Sequence, residues 1–266
     1  MPKTPNGPTL AIPDAMLARL RTARRALALT GAGVSAASGI PTFRAPGAGL
    51  WSQYSPSVFA TPRGWARDPQ LVWGWYTHRR RLALRAQPNA AHTALAALEA
   101  YYPTFTLVTQ NVDGLHQRAG SQQVVELHGS LYRFRCSREN TPVDWRNPDD
   151  NDPAALAALE RGETSPVPHC PTCDALLRPD VVWFEEALPE DAYAQAEVAA
   201  RDCEVCLVVG TSALVWPAAG LPLLAADNDA LLIEINPEAT DLTRRADLSV
   251  RMAADVALPQ LVRLLA

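Results

Sequence analysis

The sequence lacks any apolar run long enough to cross a bilayer, and it lacks a strong charge of either sign. Its net charge is −4 over 266 residues, which is too small to favour nucleic acid or an anionic membrane as the main partner. The opening MPKTPNGPTL has no apolar segment of the kind found in secretory signals. We therefore expect a cytoplasmic protein with no membrane partner and no direct nucleic-acid partner.

Cysteine is scarce, and the five present are an odd number that does not fit a complete set of disulfides. Metal ligands, reactive thiols or core residues are the more ordinary roles in such a chain. Cys203 and Cys206 lead into the apolar run CLVVG, so we assign them to the core. The 48% of hydrophobic residues is typical of a globular protein, and the length fits one large α/β domain with a smaller module.

Short apolar runs alternate with helical patterns along most of the chain. Runs rich in Val, Ile and Leu predict strands buried on both faces, and their alternation with helices predicts a doubly wound, Rossmann-like α/β fold with a parallel sheet. The predicted strands are Ala26–Leu29, Phe105–Val108, Val124–Leu127, Val205–Val209, Leu231–Ile235 and Leu248–Met252. The predicted helices are Ala15–Ala26 with Asp14 as its N-cap, Ala91–Tyr102, Ala154–Leu159, Tyr193–Arg201, Pro217–Ala226 and Val256–Leu265.

Two segments interrupt this alternation. Residues 41–87 are rich in Trp, Pro and Arg and are too long for a simple crossover, whereas residues 131–184 contain three of the five cysteines. We expect the sheet domain to be formed by residues 1–40, 88–130 and 185–266. The first interrupting segment would then be a helical insertion, and the second a small module.

Small polar residues follow the carboxyl ends of the first five predicted strands. Ligands of open α/β sheets bind beyond those ends, where Gly, Ser, Thr, Asn, Asp and His can hydrogen-bond phosphates and riboses. Each loop alone fits ordinary turn chemistry, but five that converge on one edge favour a nucleotide site. The loops read TGAGVSAASG, TQNVDG, HGS, GTSALVWP and NPEAT.

The first of these loops departs from the usual dinucleotide fingerprint. Gly31 and Gly33 fit its start, but the third glycine, Gly39, comes late, and Pro41 limits the following helix. His128, directly after the run VVEL, would project into the same crevice. Because imidazole has a pKa near neutrality, His128 can act as a base toward a ribose hydroxyl.

Five motifs together resemble the sirtuins, the NAD-dependent protein-lysine deacylases. They are GAGVSAASGIPTFR, TQNVDGLHQRAG, VVELHGS, GTSALVWPA and IEIN, in the family's order. The resemblance implies that NAD is a co-substrate whose nicotinamide bond is broken, and that the acyl group of a protein lysine ends on ADP-ribose. We expect a monomer that acts on acylated lysines of protein substrates.

The resemblance also implies roles for individual residues. His128 would be the general base, and Asn111 and Asp113 would complete the catalytic set. The cofactor-binding residues would be Gly31, Ala32, Gly33, Ile40, Pro41, Phe43, Arg44, Gln110, Asn111, Asp113, Gly210, Thr211, Ser212 and Asn236.

Tyr76 and Arg79 have the Tyr-x-x-Arg spacing that resembles sirtuins selective for acidic acyl groups. Residues three apart on a helix share a face, so the phenol and the guanidinium could reach one carboxylate. A solvated arginine run is the alternative interpretation. We expect desuccinylase or demalonylase activity with weaker deacetylation. The alternatives are a plain deacetylase, an ADP-ribosyltransferase or an NAD-binding sensor. Without the family resemblance, a conventional NAD-dependent dehydrogenase is the alternative.

The small module departs from the family pattern. Sirtuins typically carry two C-x-x-C pairs on a structural zinc ribbon, whereas this chain has one complete pair and the sequence Cys136-Ser-Arg-Glu139. Cys136, Cys170 and Cys173 are therefore candidate zinc ligands. Glu139 or His169 could supply a fourth, and a ribbon without zinc is the alternative.

A second departure lies in the segment that, by resemblance, pairs with the backbone of the substrate. The family's usual Phe-Gly-Glu reads Phe184-Glu185-Glu186 here, and the resemblance places Val182 and Phe184 near the acyl-lysine tunnel. The added charge of Glu185 could favour basic sequences around the lysine, or alter the acyl preference.

Overall fold

The computed structural model describes residues 8–43, 49–145 and 166–266. Its strands form a six-stranded parallel sheet and a separate three-stranded antiparallel sheet, which confirms the predicted α/β class. In chain order they are β1 (Arg25–Thr30), β2 (Thr104–Thr109), β3 (Val124–Glu126), β4 (Gly129–Cys136), β5 (Pro142–Val143), β6 (Leu177–Val181), β7 (Val205–Val209), β8 (Leu231–Ile235) and β9 (Leu248–Val250).

The α-helices of the described residues flank both sheets, and short 3₁₀ helices lie at Ala32–Ser38, Ala218–Gly220 and Asp241–Arg244. The α-helices are α1 (Asp14–Thr22), α2 (Leu50–Gln53), α3 (Pro56–Phe59), α4 (Pro62–Arg67), α5 (Pro69–Arg85), α6 (Ala90–Tyr101), α7 (Leu115–Arg118), α8 (Glu190–Asp202), α9 (Leu221–Ala226) and α10 (Ala254–Leu265). The helix predicted at Ala154–Leu159 lies outside the described residues. None of the helices described has both the length and the apolar character needed to span a membrane.

The parallel sheet has the order β3-β2-β1-β7-β8-β9. Leu29 of β1 pairs with Val108 of β2 on one side and with Val208 of β7 on the other. The chain therefore builds the sheet outward from β1 in both directions. The crevice between the ends of β1 and β7 is the switch point at which doubly wound folds hold ligands.

Each face of this sheet carries its own apolar core. On one face α1, α6 and α10 contribute buried leucines such as Leu20, Leu95 and Leu258, and on the other α8 and α9 contribute small residues such as Ala200 and Ala225. Cys203 and Cys206 are buried in the second cluster, as expected for core thiols. Burial on both faces explains why the strands are nearly continuous apolar runs.

A third core joins the helical insertion to the small antiparallel sheet. It contains four buried tryptophans and Phe134, and Trp73 of α5 lies 5.7 Å from Phe134 of β4 between ring centroids. This aromatic cluster packs α5, which carries Tyr76 and Arg79, against β4, the strand that begins directly after His128. The tryptophans are Trp65, Trp73, Trp75 and Trp183.

Two helix predictions were wrong in detail. Asp14 is not the N-cap of α1: Pro13 holds that position with no side-chain cap, and Asp14 lies in the first turn, where its carboxylate faces the positive helix end. The helix predicted at Pro217–Ala226 is interrupted, with α9 starting anew at Leu221. Pro222 lies in the first turn of the new helix, where its missing N–H costs no intrahelical hydrogen bond.

Candidate functional site

Two glycine-containing loops meet at the ends of β1 and β7. The Gly33 N–H donates to the Gly210 carbonyl at 2.8 Å, and the Gly31 N–H donates to the Val209 carbonyl at 3.1 Å. A Cβ on Gly33 would lie 2.7 Å from the Gly210 Cα, and one on Gly31 would lie 2.8 Å from the Thr211 Cβ. These glycines are therefore required by the close approach of the two loops, and their amides are already engaged.

The helix that follows β1 ends before Pro41 can affect it. Gly39 adopts a left-handed conformation with φ of 81°, and its N–H caps the Ala36 carbonyl. A left-handed glycine is a common helix stop, so the 3₁₀ helix ends at Ser38, three residues before the proline. The result is a short helix followed by a loop, as expected from the late position of Gly39.

A cavity of about 1020 Å³ opens at this edge of the sheet. A smaller one of about 150 Å³ adjoins it, shares Asn111 and Arg79 with it, and adds Ile40, Pro41 and Asp113. Gly31 lines neither cavity, and Arg44 lies outside the described residues. The predicted site residues that line the large cavity are Ala32, Gly33, Phe43, Tyr76, Arg79, Gln110, Asn111, His128, Val182, Phe184, Gly210, Thr211, Ser212 and Asn236.

His128 lines the large cavity with its ring held by one hydrogen bond. Its Nδ1 lies 3.0 Å from the Gln110 carbonyl oxygen. Because a carbonyl oxygen only accepts, Nδ1 carries the proton and Nε2 keeps a free lone pair. Burial lowers the pKa of His128, and the Gln110 hydrogen bond partly opposes that shift. The ring is therefore neutral at pH 7, in the tautomer that a general base requires.

The backbone at His128 is fixed where the two sheets meet. The Val182 N–H donates to the His128 carbonyl at 3.0 Å, and Gly129 follows with φ of 76°. A Cβ on Gly129 would overlap the Asp180 carbonyl oxygen. Glycine at 129 thus lets β4 cross close to β6 and holds the His128 backbone at the cavity wall.

Asn111 and Asp113 are held by the loop that follows β1. Asn111 Nδ2 donates to the Gly31 carbonyl at 3.0 Å and to Ser35 Oγ at 3.3 Å, and Ser35 Oγ donates to Asp113 Oδ2 at 2.7 Å. Sequence reasoning did not assign a role to Ser35, although it lies inside the GAGVS motif. This serine couples the first two strand-end loops.

Two buried histidines lie behind this network and line neither cavity. His92 Nδ1 accepts from the Asn89 N–H at 3.2 Å, its Nε2 lies 3.5 Å from Ser35 Oγ, and its ring centroid is 4.9 Å from that of His116. Burial lowers the pKa of His92 to about 4 and that of His116 to about 3. Both imidazoles are neutral supports of the site. Because His92 and His116 are far apart in the sequence, the sequence analysis did not predict their contact.

Tyr76 and Arg79 line the large cavity together. The Trp183 Nε1–H donates to the Tyr76 hydroxyl at 3.0 Å, and within the described parts of the chain no group accepts the phenol's own proton. Burial raises the pKa of Tyr76, so the phenol stays protonated. The Arg79 guanidinium carbon lies 4.7 Å from the Trp75 ring centroid and 5.1 Å from that of Phe43.

The charge of Arg79 has aromatic neighbours but no ion-pair partner among residues 8–43, 49–145 and 166–266. Burial lowers the pKa of its guanidinium, and the nearby Asp113 carboxylate partly opposes the shift. Since the ordinary pKa of arginine lies far above neutrality, the side chain stays charged. A half-buried cation that forms no ion pair with the described residues is suited to an anionic group on a ligand.

Comparison with known proteins assigns the chain to a family. The profile of the Sir2 family matches residues 31–217. The chain belongs to the Sir2 family. An NAD-dependent protein deacylase of Methylococcus capsulatus is 49% identical over 252 residues, which cover 95% of this chain and 96% of the relative. One of Aquifex aeolicus, with the same name, is 46% identical over 86% of this chain and 90% of its own.

Solved Sir2 structures share the fold. A Sir2 homologue in complex with NAD superposes with a TM-score of 0.85 at 43% identity, covering 97% of this chain and 95% of its own. A complex of Sir2 with a p53 peptide and NAD⁺ gives 0.79 at 33% identity, covering 94% and 96%. The predicted sirtuin family is therefore confirmed, while the roles of the individual site residues remain predictions.

The segment that departs from the usual Sir2 Phe-Gly-Glu is held by Glu186. Its carboxylate accepts from Arg178 at 2.6 and 2.8 Å and from the Trp183 N–H at 2.9 Å. The Arg178 guanidinium stacks on the Trp183 ring at 3.5 Å. Glu185 has φ of 74°, the left-handed conformation that favours glycine. Glu185 thus adopts a backbone conformation that is more favourable for glycine.

The three cysteines of the small module form one cluster. The Sγ atoms of Cys136, Cys170 and Cys173 lie within 4.8 Å of one another. The Glu139 N–H donates to Cys136 Sγ at 3.4 Å, and the N–H of Thr172 donates to Cys170. Three sulfurs with backbone N–H donors fit a structural zinc ion of the Sir2 ribbon.

Neither candidate for a fourth ligand belongs to this cluster. Glu139 is exposed, and its carboxylate is not one of the grouped ligand atoms. His169 Nδ1 lies 2.8 Å from the Asp174 carbonyl oxygen, so its proton is directed there. The structure therefore supports three thiolate ligands and gives no support to Glu139 or His169 as the fourth.

Replacing Glu139 by cysteine is expected to complete a four-thiolate site, because the backbone at 139 already wraps around Cys136 Sγ. Zinc loss to EDTA should slow by about tenfold or more, the lower end of what ligand-shell changes produce. Elemental analysis during chelation measures this. Glu139→Ala is the matched control and should retain zinc like the wild type. Loss of zinc in that control would show that the carboxylate is a ligand.

Proposed function

We propose that this chain removes succinyl and malonyl groups from protein lysines in preference to acetyl groups, with release of nicotinamide and transfer of the acyl group to ADP-ribose. The general activity, that of a sirtuin-type NAD-dependent protein deacylase, is supported by the family assignment and by the similar deacylases. One observation carries the acyl preference: the Tyr76 hydroxyl and the Arg79 guanidinium line the same cavity as His128, and neither forms a hydrogen bond or ion pair with an acid among the described residues.

NAD would bind along the strand ends as a co-substrate that supplies an electrophilic ribose carbon and accepts the acyl group. Two observations support its adenosine half lying between β7 and β8. Asn236 Nδ2 donates to the Thr211 carbonyl at 2.9 Å, and Gln110 Nε2 donates to Thr211 Oγ1 at 2.9 Å. These bonds organise polar side chains that line the cavity, as electrostatic positioning of a nucleotide requires.

His128 would remove the proton from a ribose hydroxyl through its free Nε2. The Gln110 carbonyl stabilises the imidazolium that results, because Nδ1–H already points to it. Asn111 and Asp113, held by Ser35, would orient the nicotinamide end of the dinucleotide. The activated hydroxyl would then take the acyl group, and free lysine would be released.

Tyr76 and Arg79 would receive the carboxylate at the far end of the acyl chain. The phenol offers a neutral O–H donor, and the guanidinium offers charge-assisted donors. An acetyl group has no carboxylate and would leave both unsatisfied. Hydrogen bonds to charged groups contribute about 1.5–3 kcal/mol, so a preference of roughly 10-fold or more is expected.

The acyl preference is tested with one peptide sequence carrying acetyl-, malonyl- or succinyl-lysine, with NAD at saturation. The proposal expects kcat/KM for the malonyl and succinyl peptides to exceed that for the acetyl peptide by about tenfold or more. An equal or higher value for the acetyl peptide would make the chain a plain deacetylase. NAD binding without any deacylation would instead indicate a sensor.

A further inference from the structure

We propose that Glu185 and Trp216, at the opening of the large cavity, select acylated lysines that have an arginine close by in the sequence. The inference rests on the proposed deacylase function and adds a preference for the sequence around the lysine. It concerns residues outside the acyl-binding pair and outside the catalytic set.

Glu185 offers a free carboxylate on a fixed backbone. It is exposed, it lines the cavity, and within the described ranges its side chain has no hydrogen bond or ion pair. On one side the Phe184 N–H donates to the Ala60 carbonyl at 2.9 Å, and on the other the Glu186 N–H donates to the Trp183 carbonyl at 3.1 Å. These hydrogen bonds hold the backbone of Glu185 at the cavity wall.

The segment that is expected to pair with the substrate carries an unpaired negative charge. The described lining residues include five acids and one arginine, Arg79, while His128 is neutral. Of the acids, Glu186 is paired with Arg178, so Glu185 remains the unpaired charge of the segment that is expected to pair with the substrate. An exposed, unpaired carboxylate attracts a cation on the bound peptide at short range. The acids are Glu185, Glu186, Glu238, Asp241 and Asp255.

Trp216 supplies an exposed aromatic face on the same cavity. It lines the cavity and is 68% exposed, the highest value among the large apolar side chains of the described residues. Its ring packs over Gly220, where a Cβ would lie 2.9 Å from the indole. Leu214 and Phe184 are also exposed and also line the cavity. Exposed apolar groups around a polar opening are typical of a surface that binds another chain.

An exposed carboxylate and an exposed indole on one cavity suit arginine better than other residues. The guanidinium stacks on aromatic faces, and indole is the strongest of these partners. It also presents several N–H donors to a carboxylate. Lysine would satisfy the charge but would stack less well, and an apolar residue would leave Glu185 without a partner.

The test uses succinyl-lysine peptides that are identical except for Arg, Gln or Glu on either side of the modified lysine. For the wild type, kcat/KM for the best Arg peptide should exceed that for its Gln counterpart by about 2–5-fold, as expected for exposed ion pairs. The ratio should approach one in 1 M salt, where the screening length is about 3 Å. Glu185→Gln should abolish it, and Trp216→Leu should reduce it.

Glu190→Gln is the matched control, since Glu190 is exposed at the start of α8 and does not line the cavity. It removes the same charge and should keep the Arg preference. Equal kcat/KM values for the three peptides, or equal effects of the two Gln variants, would overturn the inference while leaving the deacylase proposal intact. If no peptide is deacylated, the proposed function fails. Fluorescence anisotropy of the labelled peptides with each variant then decides the preference by binding.

Discussion

Replacing His128 by alanine is expected to lower the turnover number by about 10²–10⁴-fold, the usual contribution of a general base. The ring lines the cavity, its Nδ1–H is directed to the Gln110 carbonyl, and its Nε2 is free to take a proton. Substrate binding should change far less, because the adenosine side of the cavity is formed by other loops. Steady-state kinetics with a succinyl-lysine peptide, together with NAD titration, measure both quantities.

The pH dependence follows from the lowered pKa of His128. A base must be neutral to accept a proton, and a pKa below the ordinary value of 6.5 keeps the ring neutral to more acidic pH. The acid limb of kcat/KM should therefore lie below pH 6.5. His169→Ala, which removes an exposed imidazole of the small module, should leave turnover and the pH profile unchanged. Turnover of His128→Ala within threefold of wild type, on the order of 0.7 kcal/mol, would remove the imidazole from the mechanism.

The replacement Arg79→Met should separate the proposed desuccinylation from deacetylation. It keeps an apolar stem between the Trp75 and Phe43 rings but removes the charge. We expect kcat/KM for succinyl-lysine to fall by roughly 10–100-fold, because a charge-assisted interaction is lost. Deacetylation should change little, since an acetyl group never contacts the guanidinium. Parallel assays with the two peptides give the ratio directly.

Tyr76→Phe is the companion variant because it keeps the buried ring and removes only the hydroxyl. It leaves the Trp183 Nε1–H without its acceptor, so a small loss of stability should accompany the loss of desuccinylation. The desuccinylation loss should be smaller than for Arg79→Met, since the phenol carries no charge. If Arg79→Met lowered desuccinylation and deacetylation by the same factor, the residue would have a structural role and the acyl assignment would fail.

The strands were the part of the fold that the sequence determined best. Val205–Val209 and Leu231–Ile235 occur with the predicted bounds, because a strand buried on both faces is an uninterrupted apolar run. The end of α1 was misplaced since apolar residues continue from the helix into β1 through Ala26, which belongs to the strand. Periodicity alone does not mark the change from helix to strand there.

For the site, prediction from the sequence was limited by contacts between distant residues. Motifs placed His128, Asn111 and the strand-end loops correctly at one edge, because parallel strands end together. Ser35 as a link between loops, and His92 behind it, depend on contacts between residues distant in sequence. The left-handed backbone of Glu185 could not be predicted either, because glutamate rarely adopts this conformation and the fold imposes it here.

The most direct test of the account is a single reaction of the purified chain with NAD and a succinyl-lysine peptide, with all products measured by mass. The account predicts equal amounts of nicotinamide, unmodified peptide and an ADP-ribose species that carries the succinyl group. Formation of NADH, or recovery of both the acylated peptide and NAD unchanged, would contradict it.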